Sequence, residues 1–110
     1  MTAPGLSDYL DHVRQAACEA IEFVQGMDKA DRRTQHAVIR CLTIIGEAAT
    51  KIMEAHAGFV EVHPEVPWLK IRGMRNRVVH GYLDINLDTV WDTALTDLPA
   101  LLARLPAVES

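Results

Sequence analysis

The stretch Ala37-Val38-Ile39-Arg40-Cys41-Leu42-Thr43-Ile44-Ile45-Gly46-Glu47-Ala48-Ala49-Thr50-Lys51-Ile52-Met53 decides the fold, because eleven of its seventeen residues are aliphatic, Ala, Cys or Met. Its apolar positions, Ile39, Ile44, Ile45, Ala48, Ala49 and Ile52, spread around the cylinder of a helix and do not line one face of it. A helix so widely apolar is central to a bundle or packs against a second subunit as well. Homo-oligomerisation is therefore expected.

Outward from this segment the chain reads as further helices. Upstream, Ser7 is a candidate N-cap with Asp8 in the first turn, and Leu6, Leu10, Val13, Ala17, Ile21 and Val24 recur at helical spacing as far as Gly26. The polar connection Met27 to Arg33 offers Asp28 and Asp31 as caps for the central helix. Downstream, Gly58 to Val66 carries Gly, Pro and His without a period and is expected to be a loop. Pro67 is expected at the first position of a third helix, running through Trp68, Leu69, Ile71, Met74, Val78 and Val79 to a stop at Gly81. Asp84 and Asn86 are candidate caps of a fourth, with Leu87, Val90, Trp91, Ala94, Leu95, Leu98, Leu101, Leu102 and Leu105 on its inner face. Pro99 should bend or interrupt that helix, since it lacks an amide donor and its ring clashes with the preceding turn. The sum is an all-α, up-and-down four-helix bundle, in one domain over 1–110 with its core at about 7–105.

Composition narrows the function classes. The chain has 110 residues, enough for one core, with 49% hydrophobic and 24% charged residues. Cys18 and Cys41 lack metal-site or disulfide spacing and read as reduced core thiols. His12, His36, His56 and His63 likewise lack ligand spacing, so no metal and no cofactor is expected. The N-terminal residues resemble no secretion signal, no apolar run is long enough to span a bilayer, and a cytoplasmic location is expected. The net charge of −4 argues against a protein that coats DNA or RNA indiscriminately. Between Val66 and Leu83, however, four cations, Lys70, Arg72, Arg75 and Arg77, occur without an acid, which leaves −8 for the rest. One basic island on an acidic body suits a few phosphates at one site.

That island contains Arg75-Asn76-Arg77-Val78-Val79-His80-Gly81-Tyr82. A guanidinium holds a phosphate through its planar fork and an imidazole moves protons near neutral pH. Together they can cleave RNA through the substrate's own 2′-hydroxyl, without a metal. On an ideal helix Arg72, Asn76 and His80 share a stripe, whereas Arg75 lies about 140° from His80. A joint site then needs the long stem of Arg75, an unwound helix end, or a second subunit, and a paired site between two subunits is favoured. The bland reading is that His80 caps the helix and the arginines form a solvated face.

The spacing Arg75-x4-His80-x-Tyr82 resembles the motif of the HEPN family, and in particular of its small HepT-type members. The resemblance extends through Tyr9-Leu10, Thr34 to Arg40, Ile44 to Ala49, Pro64 to Trp68, Gly73 to Asn76 and Val90-Trp91, in that order. It implies a HEPN-like bundle and the toxin of a HEPN/minimal-nucleotidyltransferase toxin-antitoxin pair of the type VII kind. Arg75 and His80 would be the ribonuclease pair, and Asn76, Arg72 and Arg77 would bind or orient RNA. Glu47 is a weaker candidate for orienting the motif groups, against the alternative that it only pairs with a nearby cation. Tyr82 would be the residue to which the partner nucleotidyltransferase adds AMP, placing bulky negative charge two residues from His80. The connection Met27 to Thr34 departs from the family in being about one helical turn shorter, roughly 3.6 residues.

Two other classes remain alongside the enzyme. One is a catalytically silent nucleotide-binding regulatory subunit of a partner nucleotidyltransferase; the other is a structural helical dimer whose basic patch docks an acidic protein. Trp68 and Trp91 read as core anchors rather than stacking platforms, and neither Ser nor Cys occurs in a nucleophile-like context.

Overall fold

The computed structural model describes residues 4–80 and 87–106, and over 75–80 it describes the backbone alone. The elements are α1 (Leu6–Gly26), α2 (Arg32–Ala55), α3 (Ala57–Val62), α4 (Trp68–His80), α5 (Leu87–Asp92), a π-helical segment (Thr93–Asp97) and α6 (Leu98–Arg104). The last three run without a break, so α1, α2, α4 and this composite helix make an all-α up-and-down bundle. No strand occurs among the described residues.

The central stretch behaves as its composition demands. α2 packs against α1 on one side and α4 on another, and it touches α3 and α5 as well. Val38, Ile45, Ala49 and Ile52 are completely buried, while Ile39, Ile44 and Met53 pack against the core from its margin. The wide apolar arc is thus consumed by two neighbours within one chain. Burying each such large aliphatic side chain contributes about 1.5–3 kcal/mol, which makes this seam the main source of stability. Leu10, Val13 and Ala17 of α1 face it, and Ile71 and Met74 of α4 close the other side. Leu98 and Leu101 add the fourth wall.

Helix starts follow local chemistry, with one revision. The N-cap of α1 is Gly5 and not Ser7, and the Asp8 carboxylate reaches back to accept the Gly5 N–H at 2.8 Å. Serine is the better cap by type, yet Asp8 can satisfy an orphan amide only three residues upstream. α2 is capped as expected by Asp31, whose carboxylate accepts from the Thr34 amide at 3.2 Å and the Thr34 hydroxyl at 2.6 Å. The short turn before it closes on itself, with the Ala30 amide donating to Asp28 at 2.9 Å and Gln35 Nε2 to the Lys29 carbonyl at 2.8 Å. Lys29 also pairs with Asp88 at the start of α5.

The expected loop Gly58 to Val66 contains a short helix, α3, with no buried residue. Six residues give too few turns for a visible apolar period. What holds it is aromatic: Phe59 meets Trp68 edge-on at 6.1 Å and His63 at 4.4 Å, and Trp68 Nε1 donates to the His63 carbonyl at 3.0 Å. α4 then starts at Trp68, just after Pro67, whose carbonyl accepts the Ile71 amide. Both tryptophans are core residues, Trp68 6% and Trp91 7% exposed. The interruption expected at Pro99 takes the form of the π turn ahead of it. With no amide on the proline, the Leu95 carbonyl lacks its usual helical donor, and the wider turn, in which the Leu98 amide donates to Thr93, relieves the ring clash. Asp84 and Asn86 lie outside the described residues.

The Asp31 cap carries a pH dependence. The Thr34 hydroxyl, and then the Thr34 and Arg33 amides and the Arg33 charge, hold its carboxyl below the ordinary 3.8 against an opposing effect of desolvation. A depressed carboxylate stabilises the fold fully above its unfolded value and loses that contribution as pH falls through the folded one. Asp31→Ala should therefore unfold at lower urea than the parent at neutral pH, with the gap narrowing below pH 3.8. Asp31→Asn, which keeps a cap acceptor but does not titrate, should stay close to the parent at neutral pH and lose less stability than the parent as pH falls.

Candidate active site

α4 carries the motif, and its first half fixes how the second half is phased. Trp68, Ile71 and Met74 are buried, and Leu69 and Arg72 are exposed. The backbone stays helical through His80, so the helix end does not unwind before that residue. Arg75 follows Trp68 by seven residues and Ile71 by four, which places its position in register with the inward side. Asn76 and His80 share the register of Leu69 and Arg72, the outward side. Arg77 falls in register with Lys70 and Gly73. The positions of Arg75 and His80 are thus about 140° apart around the helix and about 7.5 Å apart along it. Within one chain the two positions do not share a face.

α2 runs past α4 in the opposite direction. At about 1.5 Å per residue, thirteen residues of α4 reach back over roughly half the length of α2, from its end towards its first turns. Glu47, although it lies within the apolar stretch of α2, is exposed. The reason is phase: buried Gly46, Ala48 and Ala49 surround it in sequence, but it projects from the same outward side as Arg40 and His36. An exposed carboxylate escapes the desolvation penalty that made a buried ion pair the alternative. Arg72 is exposed, as a phosphate-contacting residue has to be. Tyr82 lies outside the described residues, as do the side chains of Arg75, Asn76, Arg77 and His80.

One group of basic residues escapes a count of charge along the chain. Arg32, Arg33, His36 and Arg40 are all exposed and recur at helical spacing on the outward side of α2. A linear window averages them with Asp28 and Asp31, whereas the helix sorts them onto one face and turns Asp31 into its cap. The spacing 33, 36, 40 is the signal that could have found them. The basic island on α4 is therefore not the only one. None of these arginines joins an ion pair among the described residues, where the pairs are Arg14–Asp11, Lys29–Asp88, His63–Glu65 and Lys70–Asp97.

Other titratable groups have structural settings. His63 Nδ1 lies 2.9 Å from Glu65, a contact that holds the Glu65 carboxyl below its ordinary value. Burial pushes the Cys41 thiol up to about 11, with the Glu19 charge adding to the effect, so it is a poor nucleophile. His12 and His36 are exposed. Among the described residues no three His, Cys, Asp or Glu side chains converge as metal ligands, and no helix is long and apolar enough to cross a membrane. A cavity of about 270 Å³ between α4 and α6 is lined by Lys70, Met74, Asp97 and Arg104 among others.

Sequence comparison bears on this arrangement directly. The profile of the HepT-like ribonucleases matches residues 7–108. A protein named "Probable ribonuclease HepT" from Thermococcus cleftensis is 35% identical over 88% of this chain and 89% of its own length. A candidate RNase from Caldanaerobacter subterraneus subsp. tengcongensis is 36% identical over 84% of each chain. Another from Methanocaldococcus jannaschii is 38% identical over 86% of this chain and 75% of its own. No solved structure matches. The match spans nearly every helix of the bundle, α4 and its motif included, and the chain belongs to the HepT-like ribonuclease family.

Proposed function

We propose that the protein is a metal-independent endoribonuclease, the toxin of a HEPN/minimal-nucleotidyltransferase pair, that works as a homodimer in the cytoplasm. The observation that carries the reading is family membership over residues 7–108 combined with Arg75 and His80 on one uninterrupted helix. In this mechanism His80 takes the proton of the 2′-hydroxyl, or gives one to the leaving 5′-oxygen, and an imidazole suits either role at neutral pH. The 2′-oxygen attacks phosphorus, the phosphorus–5′-oxygen bond breaks, and a cyclic phosphate remains. Arg75 binds the phosphate and stabilises the charge that develops on it. Asn76, Arg72 and Arg77 hold or orient the RNA, with Glu47 positioning the motif groups from α2.

Phase supports the dimer. Because Arg75 and His80 occupy different sides of α4, a second copy that brings its own α4 alongside supplies a complementary set. Leu69 is 68% exposed in the same outward register as Arg72, Asn76 and His80, and an added Cβ at Gly73 would meet nothing within 4 Å. An apolar residue beside a small one on an open helix face suits close packing of two α4 helices. The sequence-based reason for expecting a partner, the breadth of the α2 apolar arc, is largely met inside the chain; α4 supplies the better one.

Three measurements test this. Arg75→Ala and His80→Ala should each lower cleavage of single-stranded RNA in the presence of EDTA by about 10²–10⁴-fold, while far-UV circular dichroism stays unchanged. Retained cleavage in both variants would overturn the assignment, and nucleotide binding without any cleavage by the parent would favour the silent regulatory subunit. Leu69→Lys should sediment at the 12.2 kDa monomer mass where the parent sediments at the dimer mass. Incubation with ATP and the cognate nucleotidyltransferase should add AMP mass to the parent and none to Tyr82→Phe, which should still cut RNA.

A further inference from the structure

We infer that the outward stripe of α2, Arg33, His36 and Arg40, is a second RNA-contacting surface that holds the single-stranded backbone of the substrate beyond the scissile phosphate. The inference rests on the ribonuclease reading and says where along the molecule the substrate continues.

The stripe is exposed, and Arg33, His36 and Arg40 follow the three- and four-residue steps of one helix face, with Arg32 at its flank. No ion pair among the described residues occupies these arginines, although Lys29, Lys70 and Arg14 are all paired. The nearest acid in sequence, Asp31, is taken up by Thr34 and the helix start. Cations set side by side repel one another, and a polyanion removes that cost while releasing its own counterions. From Arg33 to Arg40 the helix rises about 10 Å, a length that suits a run of phosphates better than one small anion. Glu47 stands about another 10 Å along the same face and bounds the stripe there.

Position ties the stripe to the motif. α4 folds back along α2, so its end at His80 approaches the first half of α2, where the stripe lies. At that end Lys29, three residues before Arg32, is paired with Asp88, which follows His80 by only eight residues. The stripe and the motif therefore occupy the same end of the bundle.

The chemistry of the face selects among polyanions and acidic proteins. α2 contains no Phe, Trp or Tyr, so guanidinium–phosphate pairing dominates there over base stacking, and binding should tolerate any sequence. A stable protein interface needs an apolar centre. Among the described residues the large exposed apolar ones are Met27, Val62, Leu69 and Leu95, none of which lies on α2. Glu19 of α1 borders α2 in a groove with Ile44, its carboxylate receiving Gln15 Nε2 at 3.3 Å. That acid directs a bound strand away from α1.

The test compares the parent with Arg33→Ala/Arg40→Ala, two exposed helical sites where alanine is a good helix former. Cleavage of an RNA of about twelve nucleotides is set against cleavage of a dinucleotide, and anisotropy of the labelled longer RNA is followed across salt in the His80→Ala background. The double variant should lose about tenfold or more of the long-over-short preference in kcat/KM, and its salt slope should flatten by about 0.7 for each phosphate no longer neutralised. Arg33→Lys/Arg40→Lys should restore most of both. Equal preference and equal slope in the parent and the alanine variant would overturn the inference while leaving the ribonuclease reading intact. A parent that cuts no RNA would remove that reading, and the anisotropy slopes would still decide whether the stripe binds RNA. Unchanged RNA binding with weakened binding of the nucleotidyltransferase would make the stripe a protein-docking face, and the inference would fail.

Discussion

Everything in this molecule is hung on the seam between α2 and its two neighbours. Ile45, Ala49 and Ile52 are sealed from solvent by α1 and α4 together, and small residues at 46, 48 and 49 let the helices approach closely. Because α2 is gripped from two sides, it cannot rotate about its axis without exposing one set of aliphatic side chains. Its outward face is fixed by that constraint, and so is the phase of α4, locked through Trp68, Ile71 and Met74. The candidate residues are distributed by that phase, Arg75 in the inward register of α4 and Arg72, Asn76 and His80 in the outward one. Site geometry is in this sense a by-product of core packing.

How much of this is legible in the sequence depends on what kind of signal each element offers. α1, α2 and α4 declare themselves by apolar recurrence over several turns, and their ends fall within a residue or two of the expected ones. α3 does not, because so short a helix, held by Phe59, His63 and Trp68, has no period to detect. At Pro99 the chain announces a fault but not its form, since a bend and a π turn both answer a missing amide. Ser7 loses the cap of α1 to Gly5 because the deciding group is the acceptor three residues on, Asp8. The motif is legible as chemistry through its spacing, and its α4 setting follows from the same periodicity. That Glu47 points outward is not legible, because composition reports how apolar a segment is and not which way one residue points. The same blindness hides the Arg33, His36 and Arg40 stripe, which exists only after the chain has coiled.

The register of α4 also constrains what kind of enzyme the family scaffold supports. A helix that divides the position of Arg75 from that of His80 leaves two routes to one phosphate, the long stem of Arg75 or a second copy of the chain. On the proposed mechanism, activity depends on whatever brings the two registers together, so protein concentration and association become part of the control of catalysis. Such dependence would suit the proposed toxin, whose activity has to be restrained. On that proposal, stability, which each chain supplies by itself through α2, is separate from competence, which depends on a neighbour.

Two contacts, finally, join parts of the chain that are far apart in sequence. The Arg14 guanidinium donates to the carbonyl of Pro106, and Lys29 pairs with Asp88, across separations of 92 and 59 residues. The two large interfaces, α1 with α2 and α2 with α4, join helices that are near neighbours along the chain. In kinetic terms the local helical hairpins form cheaply, and closing the long loops costs more chain entropy. Chain entropy alone would thus favour the α1–α2 and α2–α4 pairs forming before the composite C-terminal helix closes onto α1.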